Sequence, residues 1–196
     1  MRTVTLTDTS GAALGEADLV EAHTGQGALH RAFSVYVFRN DQEKGKREDT
    51  EAGILPAQTE EYSPSADILI QQRSAKKMLW PLIWANTCCS HPFPNESPAD
   101  AGSRRLKEEL GFDCALTPHS RFVYRAEDPQ KRGVEHEYVT ILIGHSDQPT
   151  IKANPDEVAA YQWIKIVDLQ EDMAKNPDRY APWFHLGLAK IFPARS

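Results

Sequence analysis

The run Glu137 to Ile143, EYVTILI, constrains what this chain can fold into more than any other stretch. It is dense in β-branched and aromatic residues, which suit a pleated, half-buried surface, so it predicts a strand. Such an apolar strand has to be covered, and the rest of the sequence names the other layers. Phe33 to Phe38 (FSVYVF), Ile68 to Gln72 (ILIQQ) and Tyr161 to Ile166 (YQWIKI) read as further strands, with Val4 to Thr7 a weaker one. Helices are fewer. Ser97-Pro98-Ala99-Asp100 opens one, with a hydroxyl to cap the first turn, a proline at its first position and an acid near its start. It runs to Leu110, and Gly111 is the expected stop. Shorter helices are expected over Val167 to Lys175 and from Pro182 to Phe192. Strands lie before and after the central helix with no repeating βαβ alternation, which favours a mixed α+β sheet over a doubly wound one.

With 196 residues, 40% of them hydrophobic, the chain is the size of one domain, 1–196, and can bury a core. Lys and Arg total 22 against 28 Asp and Glu, a formal charge of −6. That balance argues against broad nucleic-acid binding but leaves room for a local basic pocket. Cys88, Cys89 and Cys114 are an odd set, two of them adjacent, so no disulfide framework is expected. The opening Met1 to Asp8 lacks the apolar core of a secretory signal, and no apolar run nears the roughly 20 residues that span a bilayer. The expectation is a cytoplasmic protein without a membrane contact. Asp41 to Ala66, 26 residues carrying ten charges, is expected to be a loop inserted between two strands.

Chemistry concentrates in three places. Glu135 and Glu137 lie two apart on a strand, so both project on the face that continues as Val139, Ile141 and Ile143. Two carboxylates buried side by side are costly unless a metal or a shared proton compensates. The bland alternative is a strand end at the sheet rim, where both acids are solvated. His23 and His30 flank the Gly-rich segment Thr24 to Leu29, and His91 follows Cys89-Ser90. Three imidazoles and two carboxylates are donor types that hold Zn, Mn or Fe.

From Ser90 to Phe112 the spacing resembles the Nudix box, G-x5-E-x7-R-E-U-x-E-E-x-G-U, with U an apolar residue. Glu96, Arg104, Leu106, Glu108, Glu109, Gly111 and Phe112 fall at its intervals. A loop followed by a helix would bring Glu108 and Glu109 to a Mg²⁺ that bridges diphosphate oxygens. Ser90 stands where the box has Gly, and Arg105 where it has a metal-binding Glu. A base there weakens the case for ordinary diphosphate hydrolysis and suits holding a diphosphate. The alternative for Arg105 and Glu109 is an i,i+4 pair on a solvated helix face.

The segments Ala22-His23-Thr24, Leu29-His30-Arg31-Ala32-Phe33-Ser34, Gln71-Gln72-Arg73-Ser74 and Trp84-Ala85-Asn86-Thr87-Cys88-Cys89-Ser90-His91-Pro92 occur in this order. After the box helix come Tyr124-Arg125-Ala126, Glu135-His136-Glu137 and Trp183. Over residues 17–192, the charged insertion aside, the chain resembles the type I isopentenyl-diphosphate delta-isomerases, Nudix-superfamily enzymes of isoprenoid synthesis. The resemblance implies a Nudix-like mixed β-sheet packed between helices, with N-terminal and C-terminal embellishments. It implies an octahedral site for Mn²⁺, Zn²⁺ or Mg²⁺ made by His23, His30, His91, Glu135 and Glu137. Cys89 and Glu137 would be the catalytic pair on opposite faces of the substrate, exchanging donor and acceptor roles with direction. Tyr124 would assist Glu137, and Trp183 would face the hydrocarbon and its carbocation. Glu109, with the main-chain carbonyl of Cys89, would hold a Mg²⁺ against the diphosphate, and Arg73, Lys77 and Arg105 would surround it; Lys76 is the alternative to Lys77. An electropositive pocket would let Cys89 exist as thiolate. The implied partner is a small isoprenoid diphosphate, with the chain a monomer or a homodimer. Two alternatives stand beside this: a Nudix pyrophosphohydrolase acting on a nucleotide or prenyl diphosphate, and a metal-stabilised binding domain. His119, His136, His145 and His185 have no place in the site, and Cys88 and Cys114 are expected in the core.

Overall fold

The computed structural model describes residues 2–39, 66–147 and 149–193. The expected charged loop, 41–66, lies outside them apart from the buried Ala66. In chain order the described elements are β1 (Thr3–Thr7), β2 (Ala13–Asp18), α1 (Leu19–Ala22), β3 (His30–Arg39), β4 (Asp67–Arg73), β5 (Trp84–Ala85) and β6 (Cys88–Ser90). There follow α2 (Pro98–Leu110), β7 (Leu116–Glu127), β8 (Val134–His145), β9 (Val158–Lys165), α3 (Ile166–Lys175) and α4 (Pro182–Ile191). The strands share one mixed sheet. β3 runs parallel to β8 from His30↔Glu137 to Phe38↔His145, while it pairs antiparallel with β1 at His30, with β6 at Phe33 to Val35 and with β4 at Phe38 and Arg39.

Both faces of this sheet are covered, which explains the buried runs Phe33 to Phe38 in β3 and Val139 to Ile143 in β8. Ala32, Tyr36 and Phe38 of β3 share one core with Val139, Ile141 and Ile143 of β8, and with Leu169 of α3 and Phe184 and Leu188 of α4. The alternate residues Phe33, Val35 and Val37 share the opposite core with Leu106 and Leu110 of α2. At Gly187 α4 presses against β3, where an added Cβ would lie 1.9 Å from Tyr36 Oη.

The central helix forms as its sequence predicts. Ser97 Oγ accepts the Asp100 N–H at 3.1 Å, and Gly111, at φ 75°, donates its N–H to the carbonyls of Leu106 and Lys107. The fold also holds elements the sequence does not announce. β7 contains Pro118 and has many exposed positions, and its pairing with β8 shifts register between Pro118 and Arg121, an irregularity that accommodates the proline. β2 is mostly exposed, and β5 and β6 are too short for a periodic signal. No described helix is long and apolar enough to cross a membrane.

Candidate active site

The parallel register of β3 and β8 sets His30 directly beside Glu137, with Glu135 two residues earlier on the same face. His23 closes α1, whose first turn is capped by the Asp18 carboxylate. His91 leaves β6, which is tied to β3 through Cys88, Cys89 and Ser90. One ligand-type atom from each of His23, His30, His91, Glu135 and Glu137 falls within 4.8 Å of all the others. Glu135 and Glu137 are 7% and 8% exposed, so the solvated strand rim does not describe them.

Backbone carbonyls orient the rings. Nδ1 of His23 faces the Leu19 carbonyl at 2.7 Å, and Nδ1 of His30 faces that of Ala28 at 2.8 Å. A carbonyl only accepts, so each Nδ1 carries hydrogen and each Nε2 is turned to the cluster. His23 Nε2 lies 2.9 Å from Glu135 Oε2, and His91 Nε2 lies 2.9 Å from Glu137 Oε1. His30 Nε2 is 3.8 Å from Glu137 Oε1, buried, and without a hydrogen-bond partner among the described residues. Burial and the neighbouring His91 push His30 down to about 4, while burial and His23 push His91 down to about 3. Burial also opposes charge on His23, but the hydrogen bond and charge of Glu135 outweigh it and raise His23 to about 9. The neutral imidazoles of His30 and His91, an orphaned buried lone pair on His30 and two carboxylates fit a divalent cation, which would displace the proton held by His23.

A cavity of about 250 Å³ opens beside this cluster, lined by Cys89, Tyr124, Trp183 and both glutamates. Cys89 pairs with Ser34 and Cys88 with Val35, so the two adjacent thiols face opposite sides of the sheet. Cys88 joins the core under α2, with Cys114 packed against it, while Cys89 reaches the cavity. Arg73 Nη1 points at Cys89 Sγ from 3.6 Å, its other nitrogens donate to the carbonyls of Leu79 and Trp80, and its guanidinium lies 5.3 Å from the Trp183 ring centre. Burial pushes the Cys89 thiol up to about 11, and the charge of Arg73 pulls against it. Tyr124 pairs with Glu137 across β7 and β8 and donates its hydroxyl to Glu137 Oε2 at 2.8 Å. Burial, then the charge of Glu137, raises that phenol well above its ordinary value.

Arg73, Lys77 and Arg105 also line the cavity. Glu109 is fully buried behind Arg105, which donates to it at 2.5 Å, and it also accepts from Gln71 Nε2 at 2.9 Å. Arg105 and Glu109 therefore form the i,i+4 pair, but a buried one. Glu108 differs from its neighbour: its side chain is 44% exposed and pairs with Arg105 at 2.6 Å and Arg104 at 3.4 Å. Lys77 is 15% exposed and reaches Glu109 and Glu157, whereas Lys76 is 69% exposed and pairs with Asp156. Glu96 forms a two-pronged pair with Arg104 at 2.8 Å and serves the loop before α2. Of the histidines set aside, His136 bonds the Gly27 carbonyl and His185 that of Pro177, both outside the cluster.

Sequence reasoning missed four residues of this region. Arg2 and Glu157 line the cavity from segments with no motif. Trp80 stands edge-on to Trp183 at 5.5 Å, and Asp128 holds it by accepting the Trp80 N–H at 2.8 Å. A lone tryptophan after two lysines was the available signal for Trp80; Asp128 offered none.

The NUDIX domain family matches residues 28–184. The isopentenyl-diphosphate Delta-isomerase of Nocardia farcinica is 40% identical over 180 residues, covering 92% of this chain and 89% of that protein. The enzyme of the same name from Halorhodospira halophila is 35% identical, covering 94% and 91%. DR0079 of Deinococcus radiodurans has the same fold, with a TM-score of 0.67 over 97% of this chain and 99% of its own, at 14% identity. With the NUDIX model matched over most of the chain and relatives at 35–40% identity across nearly the whole length of both proteins, the chain belongs to the isopentenyl-diphosphate Delta-isomerase family of NUDIX-domain proteins.

Proposed function

We propose that this cavity interconverts isopentenyl diphosphate and dimethylallyl diphosphate, with Cys89 and the Tyr124–Glu137 pair exchanging the protons. The observation that carries the reading is their meeting at one cavity walled by Trp183 and rimmed by Arg73, Lys77 and Arg105. An isolated alkene is a very poor base, so a donor must be held against it while water is kept away. One group protonates the terminal methylene carbon, and the π electrons form that new C–H bond, leaving a tertiary carbocation. The other group removes a proton from the carbon next to the diphosphate-bearing end, and that C–H pair becomes the new double bond. Cys89 serves one side and Glu137, through Tyr124, the other; their roles reverse with direction. The Trp183 face attracts the cation by about 0.5–2 kcal/mol.

His23, His30, His91, Glu135 and Glu137 would hold a divalent cation, Mn²⁺, Zn²⁺ or Mg²⁺. Such an ion supplies Lewis acidity that tunes the Glu137 carboxylate. Glu109 and the Cys89 carbonyl would hold a Mg²⁺ that neutralises diphosphate charge. All three cysteines are free, in keeping with a reducing, cytoplasmic setting.

Pyrophosphohydrolysis fits less well, because Arg105 replaces an acid and Glu108 faces outward. Isomer and phosphate-release assays run side by side decide between them. Dimethylallyl diphosphate without released phosphate is expected; phosphate release without isomer would overturn the reading.

A further inference from the structure

Ser90 is the departure from the Nudix box that the chemistry above leaves unused. Its hydroxyl receives the Nη2 hydrogen bond of Arg2, 88 residues away in sequence. Arg2 is fixed at its other end as well, since its carbonyl accepts the Leu19 N–H at 2.8 Å at the start of α1. The side chain lines the cavity together with Arg73, Lys77 and Arg105.

The cations of this rim differ in what balances them. Lys76 pairs with Asp156, Lys77 with Glu157, and Arg105 with Glu109 and Glu157. Arg2 has a neutral hydroxyl and no carboxylate within ion-pair distance among the described residues. Burial, Arg105 and Arg104 together hold its pKa below the ordinary value, and Glu157 and Glu108 oppose them. A half-buried guanidinium seated on an uncharged acceptor, facing a cavity and crowded by like charge, is set to receive an anion.

We propose that Arg2, seated on Ser90, is a fourth cationic contact for the substrate's diphosphate, making the segment before β1 part of the binding site. This rests on the diphosphate reading of the cavity and adds a contact outside the family motifs. Ser90 holds the guanidinium in place where a box glycine would leave it unanchored, and its substitution weakens binding less than loss of the charge itself.

The test compares wild type with Arg2→Gln, Arg2→Lys and Ser90→Ala, reading KM and kcat for isopentenyl diphosphate, inorganic pyrophosphate affinity by calorimetry, and melting temperature. For Arg2→Gln, KM rises about tenfold and pyrophosphate binding weakens alike, while kcat changes much less. Arg2→Lys recovers part of the affinity, and Ser90→Ala gives an intermediate loss. Unchanged KM and pyrophosphate affinity in Arg2→Gln would overturn the assignment, as would a lowered melting temperature with affinity intact. If wild type turns over no isopentenyl diphosphate, the isomerase reading fails on its own, and pyrophosphate binding still decides the role of Arg2.

Discussion

Cys89 and Cys88 show how much one position of strand alternation decides. Cys89 faces the cavity and Cys88 the opposite core. Cys89→Ala should lower turnover at least about 1000-fold while fold and metal content persist, because it removes only the thiol proposed to exchange a proton; near-normal rates with metal bound would remove Cys89 from the chemistry. Glu137→Gln should lower both the rate and the metal content, since the same carboxylate contacts His91 and Tyr124. Metal uptake carries its own signature. His23 is held at about 9 by Glu135 despite burial, so at pH 7 the metal-free pair keeps a proton that an incoming cation displaces. Affinity therefore climbs as pH rises towards about 9, and calorimetry at pH 7 in buffers of different ionisation enthalpy should report about one proton released. Binding with no proton release would contradict this placement of charge.

Secondary structure was legible where local chemistry speaks for itself. Ser97, Pro98 and Gly111 bound α2 because caps are local devices, and FSVYVF reads as a strand because both its faces are buried. β7 was not legible: its many exposed positions and Pro118 resemble a loop until β8 is beside it. The same limit hid Arg2 and Asp128, whose partners Ser90 and Trp80 lie 88 and 48 residues away. The ligand cluster, by contrast, was legible as residue types, while its convergence depends on the β3–β8 register. α4 supplies Trp183, and its closeness to β3 at Gly187 can be probed. Gly187→Ala forces a methyl into Tyr36 and should destabilise the fold by about 1–3 kcal/mol, seen in denaturant unfolding. An unchanged midpoint would mean that α4 can move away at no cost.

Taken together, the sheet gathers acids and imidazoles at one end of β3 and β8, and places an amphipathic cavity against them. Like groups buried together are stabilised by a shared cation, so chelation should lower the melting temperature and restored Mn²⁺, Zn²⁺ or Mg²⁺ should raise it. The net charge of −6 hides a cationic rim in which Arg73 and Arg2 make no carboxylate pair among the described residues. The proposed roles, proton exchange in the interior and anion binding at the cationic mouth, are what carbocation chemistry on a diphosphate needs. Incubation with isopentenyl diphosphate in D₂O with Mg²⁺ and Mn²⁺, followed by NMR, tests it most directly. Dimethylallyl diphosphate carrying deuterium in its new methyl group is the expected result; recovery of unchanged substrate, or of product without deuterium, would contradict proton exchange through Cys89 and Glu137.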